Sequence, residues 1–199
     1  LGIALEEFTE AIQIDPTYAM AYNGLGLVHS ALREDAKADS SFKKAILLEP
    51  NNSESRNNYG TFLCSRGRYD ESIAQFLEAV KNPLYVTPGI AYMNAGICSL
   101  RKNDESNAEL YLQKALQAQP VLDQAAYHLA AIEFNRGKPL RAREYLQNPL
   151  ANSPTPDMLW LGIKVERQLG GRDAEASYAL QLRKNYPNSE QTKALLSGQ

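Results

Sequence analysis

Three observations in this sequence predict an all-α fold of stacked helix pairs. The first is a repeat. A small residue followed four positions later by an aromatic residue or Leu occurs at Ala4/Phe8, Ala38/Phe42, Ser72/Phe76, Ala108/Leu112, Ala142/Leu146 and Ala176/Leu180, in steps of 34, 34, 36, 34 and 34 residues. The second is punctuation at fixed offsets. Arg33, Gly67, Asn103, Gly137 and Gly171 precede the small residue by five, and Pro16, Pro50, Pro120 and Pro154 follow it by twelve. Leu84 holds the proline slot once, and Pro187 falls one residue early. Gly or Asn accepts the left-handed conformation that ends a helix, and Pro stops the next one. The third is apolar spacing of helical period, as in Tyr22, Leu25, Gly26, Val28 and His29.

In order along the chain, Leu1–Ile14 reads as the second helix of a pair whose first helix lies outside this sequence, giving a half repeat over 1–16. Repeats follow near 19–52, 53–88, 89–122, 123–156 and 157–188, each of two helices of about 14 residues. Residues 189–199 read as a capping helix and tail, which a solenoid needs over its exposed end. Two segments break the pattern. Lys81–Gly89 makes the 36-residue step and carries two prolines. In Asn148–Asp157, Pro149 falls inside the second helix, which predicts that this helix stops early and a loop projects. The Tyr22, Leu25, Gly26, Ala38, Phe42, Ala45 and Pro50 series matches the tetratricopeptide pattern. The expected architecture is therefore one right-handed tetratricopeptide superhelix, an α-solenoid of about six repeats with the first truncated.

Composition narrows the function. Of 199 residues, 21 are Lys or Arg and 23 Asp or Glu, for a net charge of −2, which gives nucleic acid no electrostatic footing. No apolar run is long enough to span a bilayer. With two His and two Cys, no metal cluster, phosphate loop or nucleophile elbow can be assembled. His29 and His128 read as packed helix residues. We expect no catalytic residues, no metal and no cofactor: the chain is not an enzyme.

A binding role is expected instead. The first helix of each pair lines the concave face of such a coil, and helical spacing assigns to it Met20, Asn23, Leu27 and Ser30, then Asn57, Thr61 and Cys64, then Met93, Ile97 and Leu100, then Tyr127, Ala131 and Phe134, and finally Met158, Leu161 and Val165. Of these, Leu27, Asn57, Thr61, Met93, Ile97, Leu100, Tyr127, Ala131, Phe134, Met158 and Leu161 are the expected partner-binding residues. The strip turns apolar towards the C-terminal half, which fits a peptide or helix laid in a groove. Tetratricopeptide domains that grip a chaperone's terminal carboxylate use Lys and Asn here; the matching turns carry Leu27, Thr61, Ile97, Ala131 and Val165, so few donors would meet a carboxylate.

Cys64 and Cys98 are 34 residues apart on the first helices of adjacent repeats, within reach of one another. Two readings stand: buried free thiols in a cytosolic protein, or a disulfide in an exported one.

Beyond the generic repeat, NNYGTFLCSRGRYDESIAQFLEAVKNPLY (Asn57–Tyr85), NAGICSL (Asn94–Leu100) and LQLRKNYPNSE (Leu180–Glu190) resemble the PilF/PilW group of type IV pilus biogenesis and stability lipoproteins. The Phe62-Leu63-Cys64 and Gly96-Ile97-Cys98 strings and the closing Ser197-Gly198-Gln199 resemble its neisserial branch. The resemblance implies a pilotin at the periplasmic face of the outer membrane of a Gram-negative bacterium, held by a lipid anchor outside this sequence. The implied partner is the pilus secretin or another pilus component, assisted in outer-membrane localisation or multimerisation, or in pilus stability. The resemblance also favours the Cys64–Cys98 disulfide. A cytosolic tetratricopeptide adaptor, or a scaffold part of a larger protein, is the alternative.

Overall fold

The computed structural model describes residues 1–198. Its described elements are α-helices: α1 (Gly2–Ile14), α2 (Ala19–Ala31), α3 (Asp35–Leu48), α4 (Ser53–Ser65), α5 (Tyr69–Ala79), α6 (Pro88–Arg101), α7 (Glu105–Ala118), α8 (Asp123–Asn135), α9 (Pro139–Ala151), α10 (Pro156–Leu169), α11 (Arg172–Asn185) and α12 (Glu190–Leu196). They fall into two compact units, residues 1–111 and 112–199.

In the first unit, α2 packs on α3 and α4 on α5, and the first helices touch in sequence, α2 on α4 and α4 on α6. The core between two pairs is aromatic. Phe42 is wholly buried and meets Tyr59 and Phe62 with ring centroids 5.6 Å away in each case. Glycines make room for these rings: a Cβ on Gly26 would stand 2.6 Å from a Phe42 ring carbon, and one on Gly60 2.7 Å from Phe76. Tyr59 donates its hydroxyl proton to Asp39 at 2.8 Å, while Lys43 and Arg68 also reach that carboxylate. Burial alone would raise the Asp39 pKa, but the bonds from Lys43, Arg68 and Tyr59 outweigh it and hold the carboxyl below its ordinary value. A depressed carboxylate contributes stability above its unfolded pKa, and that contribution is lost as pH falls through the folded value. Asp39→Asn is therefore expected to be less stable than the parent at pH 7 and to lose less on acidification to pH 3. Urea unfolding at the two pH values checks it; equal losses would refute it.

In the second unit, α8 packs on α9, α10 on both α9 and α11, and α12 covers α10 and α11. Ala130, Ala142, Leu146, Leu161 and Val165 form one core cluster, and Leu159, Ile163 and Leu182 another. Glu166 is buried at its edge and receives a two-pronged bond from the Arg143 guanidinium, which compensates the buried charge.

The turns inside the pairs set the register of the whole chain. Arg33, Gly67, Asn103, Gly137 and Gly170 have φ of 60–75°. Each turn is closed by a bond six residues back, from the amides of Glu34, Arg68, Asp104, Lys138 and Gly171 to the carbonyls of His29, Leu63, Ser99, Glu133 and Glu166. These five carbonyl residues are structural equivalents, spaced 34, 36, 34 and 33 apart. The last step is therefore one residue shorter than expected. Gly170, not Gly171, is the left-handed residue; Gly171 has φ −80°. The expected Ala176/Leu180 pair is likewise displaced: Glu175 and Ala179 take those slots, Leu182 is buried, and Leu180 is exposed. The missing residue belongs to the connection before α10, because Pro187 stands at the same offset from Gly170 as Pro154 does from Gly137.

Pro149 also departs from expectation. α9 continues through it to Ala151. The proline is fully buried in the slot that Ala45 and Ala79 fill in earlier pairs. It forfeits one backbone donor only two residues before the helix ends, where few intrahelical bonds remain to lose.

Candidate protein-binding site

The first helices turn one row of side chains away from the cores. Counting from the closing carbonyl residue, the row occupies positions six before, two before and one after it. In α2 these are Asn23, Leu27 and Ser30. In α4 they are Asn57, Thr61 and Cys64, and in α6 they are Met93, Ile97 and Leu100. Leu27 is 47% exposed, and Thr61 is exposed with its hydroxyl donating to the Asn57 carbonyl at 3.0 Å. Asn57, Ile97 and Leu100 are half-buried. Met93 is only 9% exposed, so it packs between helices and offers a partner little surface.

The row in this unit is more polar than the sequence reading expected. Asn58 donates to Asn23 at 3.4 Å, and Asn94 to Asn57 at 3.1 Å. Carboxamides thus join α2 to α4 and α4 to α6, and each pair keeps a spare donor and a spare acceptor. Adjacent Asn57 and Asn58 in the sequence carried this signal: one points to the preceding first helix, the other to the following one. The 81–89 connection leaves Leu84 and Val86 almost fully exposed, with Tyr85 half-buried beneath them.

Cys64 and Cys98 are joined as a disulfide between α4 and α6, with Cα atoms 5.8 Å apart, inside the usual span of such bonds. They are not at equivalent positions. The 36-residue step places Cys64 one residue after its closing carbonyl residue and Cys98 one before its own, and that stagger turns the two side chains towards each other.

In the second unit, Tyr127, Ala131 and Phe134 of α8 are half-buried at the rim of the core cluster. Burial pushes the Tyr127 hydroxyl pKa up, helped by the nearby Asp157 carboxylate. The Tyr127 ring meets His128 edge-on at 5.2 Å. α10 needs correction. Because its step is 33 residues, Met158, Leu161 and Val165 are one position off the row, and they are 7%, 5% and 1% exposed, packed into the core. The equivalents of Tyr127, Ala131 and Phe134 are Trp160, Lys164 and Arg167, which are half-buried, half-buried and exposed. The row here is aromatic and cationic rather than aliphatic. The early Pro187 and the Gly170–Gly171 doublet were the signals for this shift.

No group of three or more His, Cys, Asp or Glu side chains that could hold a metal occurs among the described residues. No described helix is long and apolar enough to cross a membrane.

Comparison with known proteins accords with this architecture. Tetratricopeptide repeat models match residues 19–52, 41–74 and 65–123. The type IV pilus assembly protein PilF of Pseudomonas aeruginosa is 31% identical over 181 residues, covering 90% of this chain and 72% of that protein. The crystal structure of PilW, described as a widely conserved type IV pilus biogenesis factor, superposes with a TM-score of 0.80 at 35% identity, over 95% of this chain and 87% of PilW. A solved structure of Pseudomonas aeruginosa PilF gives a TM-score of 0.86 at 29% identity, over 96% and 87% of the two chains. This chain belongs to the PilF/PilW family of tetratricopeptide proteins of type IV pilus biogenesis.

Proposed function

We propose that the protein is a non-enzymatic assembly factor that holds a segment of the pilus secretin, or of another pilus component, along the row of its first helices. It would thereby assist secretin localisation and multimerisation at the outer membrane, or pilus stability. The observation that carries this reading is the accessible, uncharged row of Leu27, Thr61, Ile97 and Leu100 in the first unit, in a chain whose relatives serve pilus assembly. Surface of this kind is costly to leave bare and is used for partners. Tyr127, Ala131 and Phe134 extend the candidate surface in the second unit; Asn57 contributes through its carboxamide. The place of action is the periplasmic side of the outer membrane, with any lipid tether carried outside these 199 residues. A Cys64–Cys98 disulfide fits such an oxidising compartment.

Capture of the detergent-solubilised secretin by the immobilised protein tests the reading. Ile97→Asp and Phe134→Asp are each expected to weaken capture about tenfold, the effect of losing an anchoring side chain at an interface. Circular dichroism should show helix content unchanged. Undiminished capture by both variants would exclude the row as the binding face.

A further inference from the structure

The second unit holds an ammonium group with no anion of its own. Lys164 Nζ stands 5.6 Å from the centroid of the Phe134 ring and 5.9 Å from that of Trp160. It makes no hydrogen bond or ion pair with any described residue. Its charged neighbours on α10 are committed. Arg167 binds Glu175 at 2.9 Å, and Asp157 accepts from Gln191 at 2.6 Å. The ring faces hold the cation by its charge but take none of its three N–H donors. They also displace water from one side of it, so a carboxylate arriving from the other side is attracted more strongly than it would be in bulk solvent.

We propose that this place binds the Asp or Glu side chain of a partner segment, with an apolar or aromatic residue beside it resting on Phe134, Trp160 and Tyr127. The charge complement of a lone ammonium is a single carboxylate, and the rings around it select apolar neighbours. An internal acidic side chain fits better than a chain terminus. The row continues a turn to either side of Lys164, to Trp160 and Asp157 in one direction and Arg167 in the other, so a bound segment passes across the site instead of ending in it. The proposal rests on the first-helix row being the binding face, and it specifies what that face reads.

Trp160 is the chain's one tryptophan, so its emission reports directly on this site. The probes are acetyl-Ala-Leu-Phe-Glu-Phe-Leu-Ala-amide, its Gln counterpart, and the Gln peptide with a free C-terminal carboxylate. At low salt, the Glu peptide should bind about fivefold more tightly than the capped Gln peptide, the range of a half-exposed ion pair. That ratio should fall to near one in Lys164→Met and persist in Lys164→Arg. A Glu/Gln ratio of one in the parent, or a ratio that survives Lys164→Met, overturns the proposal. A free-terminus Gln peptide that binds as tightly as the Glu peptide overturns the choice of an internal side chain. If both capped peptides change Trp160 emission equally, the carboxylate site fails while the binding face stands. If neither does, and secretin capture still depends on Ile97, the second unit's face fails and the wider reading survives.

Discussion

Phe42→Ala should lower the unfolding free energy by about 3–4 kcal/mol, the cost of removing a wholly buried aromatic ring and leaving a cavity. The size of the loss follows from how little the site can close. Phe42 fills the gap between two helix pairs, with Tyr59 and Phe62 on one side and the bare backbone of Gly26 on the other. Neither ring can move in freely, because Tyr59 is tied through its hydroxyl to Asp39, which is itself bonded to Arg68. Gly26 has no side chain to extend. Phe42→Leu should recover more than half of the loss, since it restores most of the volume. Urea unfolding followed by far-ultraviolet circular dichroism measures both. A loss under about 1 kcal/mol for the Ala variant would mean that the pairs repack around the hole, contrary to this account of the core.

Reduction of the Cys64–Cys98 bond is the next largest expected effect, at roughly 3–4 kcal/mol, from the freedom that a loop of this length regains in the unfolded chain. The bond spans a sequence separation of 34 residues and crosses the irregular 81–89 connection. That connection has exposed Leu84 and Val86 and little core of its own, so the covalent link is what shortens the unfolded excursions of α4 relative to α6. The double variant Cys64→Ser/Cys98→Ser should unfold at lower urea than the oxidised parent, and reductant should bring the parent down to meet it. Two titratable thiols in the non-reduced protein, or identical unfolding curves with and without reductant, would remove the bond from the account.

How much the sequence revealed depended on which interactions fix each residue. Turns are local: Arg33, Gly67, Asn103 and Gly137 are placed by their own backbone conformations, and each takes the left-handed form expected at a helix end. The aromatic and Leu positions of the second helices are equally local consequences of the repeat, and Phe42, Phe76, Leu112 and Leu146 are all buried. Burial of first-helix residues is not local. Met93 and Thr61 are both assigned to the row by helical spacing, yet one is buried and the other exposed, because neighbouring helices decide. The error in α10 has another source. It came from carrying a 34-residue step past a connection that is one residue short, which exchanged Trp160 and Lys164 for Leu161 and Val165. Leu159, Ile163 and Glu166 are buried in that helix, and their spacing alone would have set its facing without any count from the preceding repeat. Pro149 misled in the opposite way: a proline was taken as a stop although the helix had almost reached its end.

The unequal steps have a consequence for how such a protein diversifies. In α6 and α10, the connections before the helices differ from the common length, by two residues more and one fewer, yet both helices still seat their apolar stripes inward. Spacer length and helix orientation are thus independent variables here. An insertion or deletion between repeats leaves the hydrophobic seam intact while changing which cross-helix neighbours stand opposite one another, as Cys98 opposite Cys64 illustrates. Lineages can therefore vary contacts along the array by editing the joints, without touching the rods.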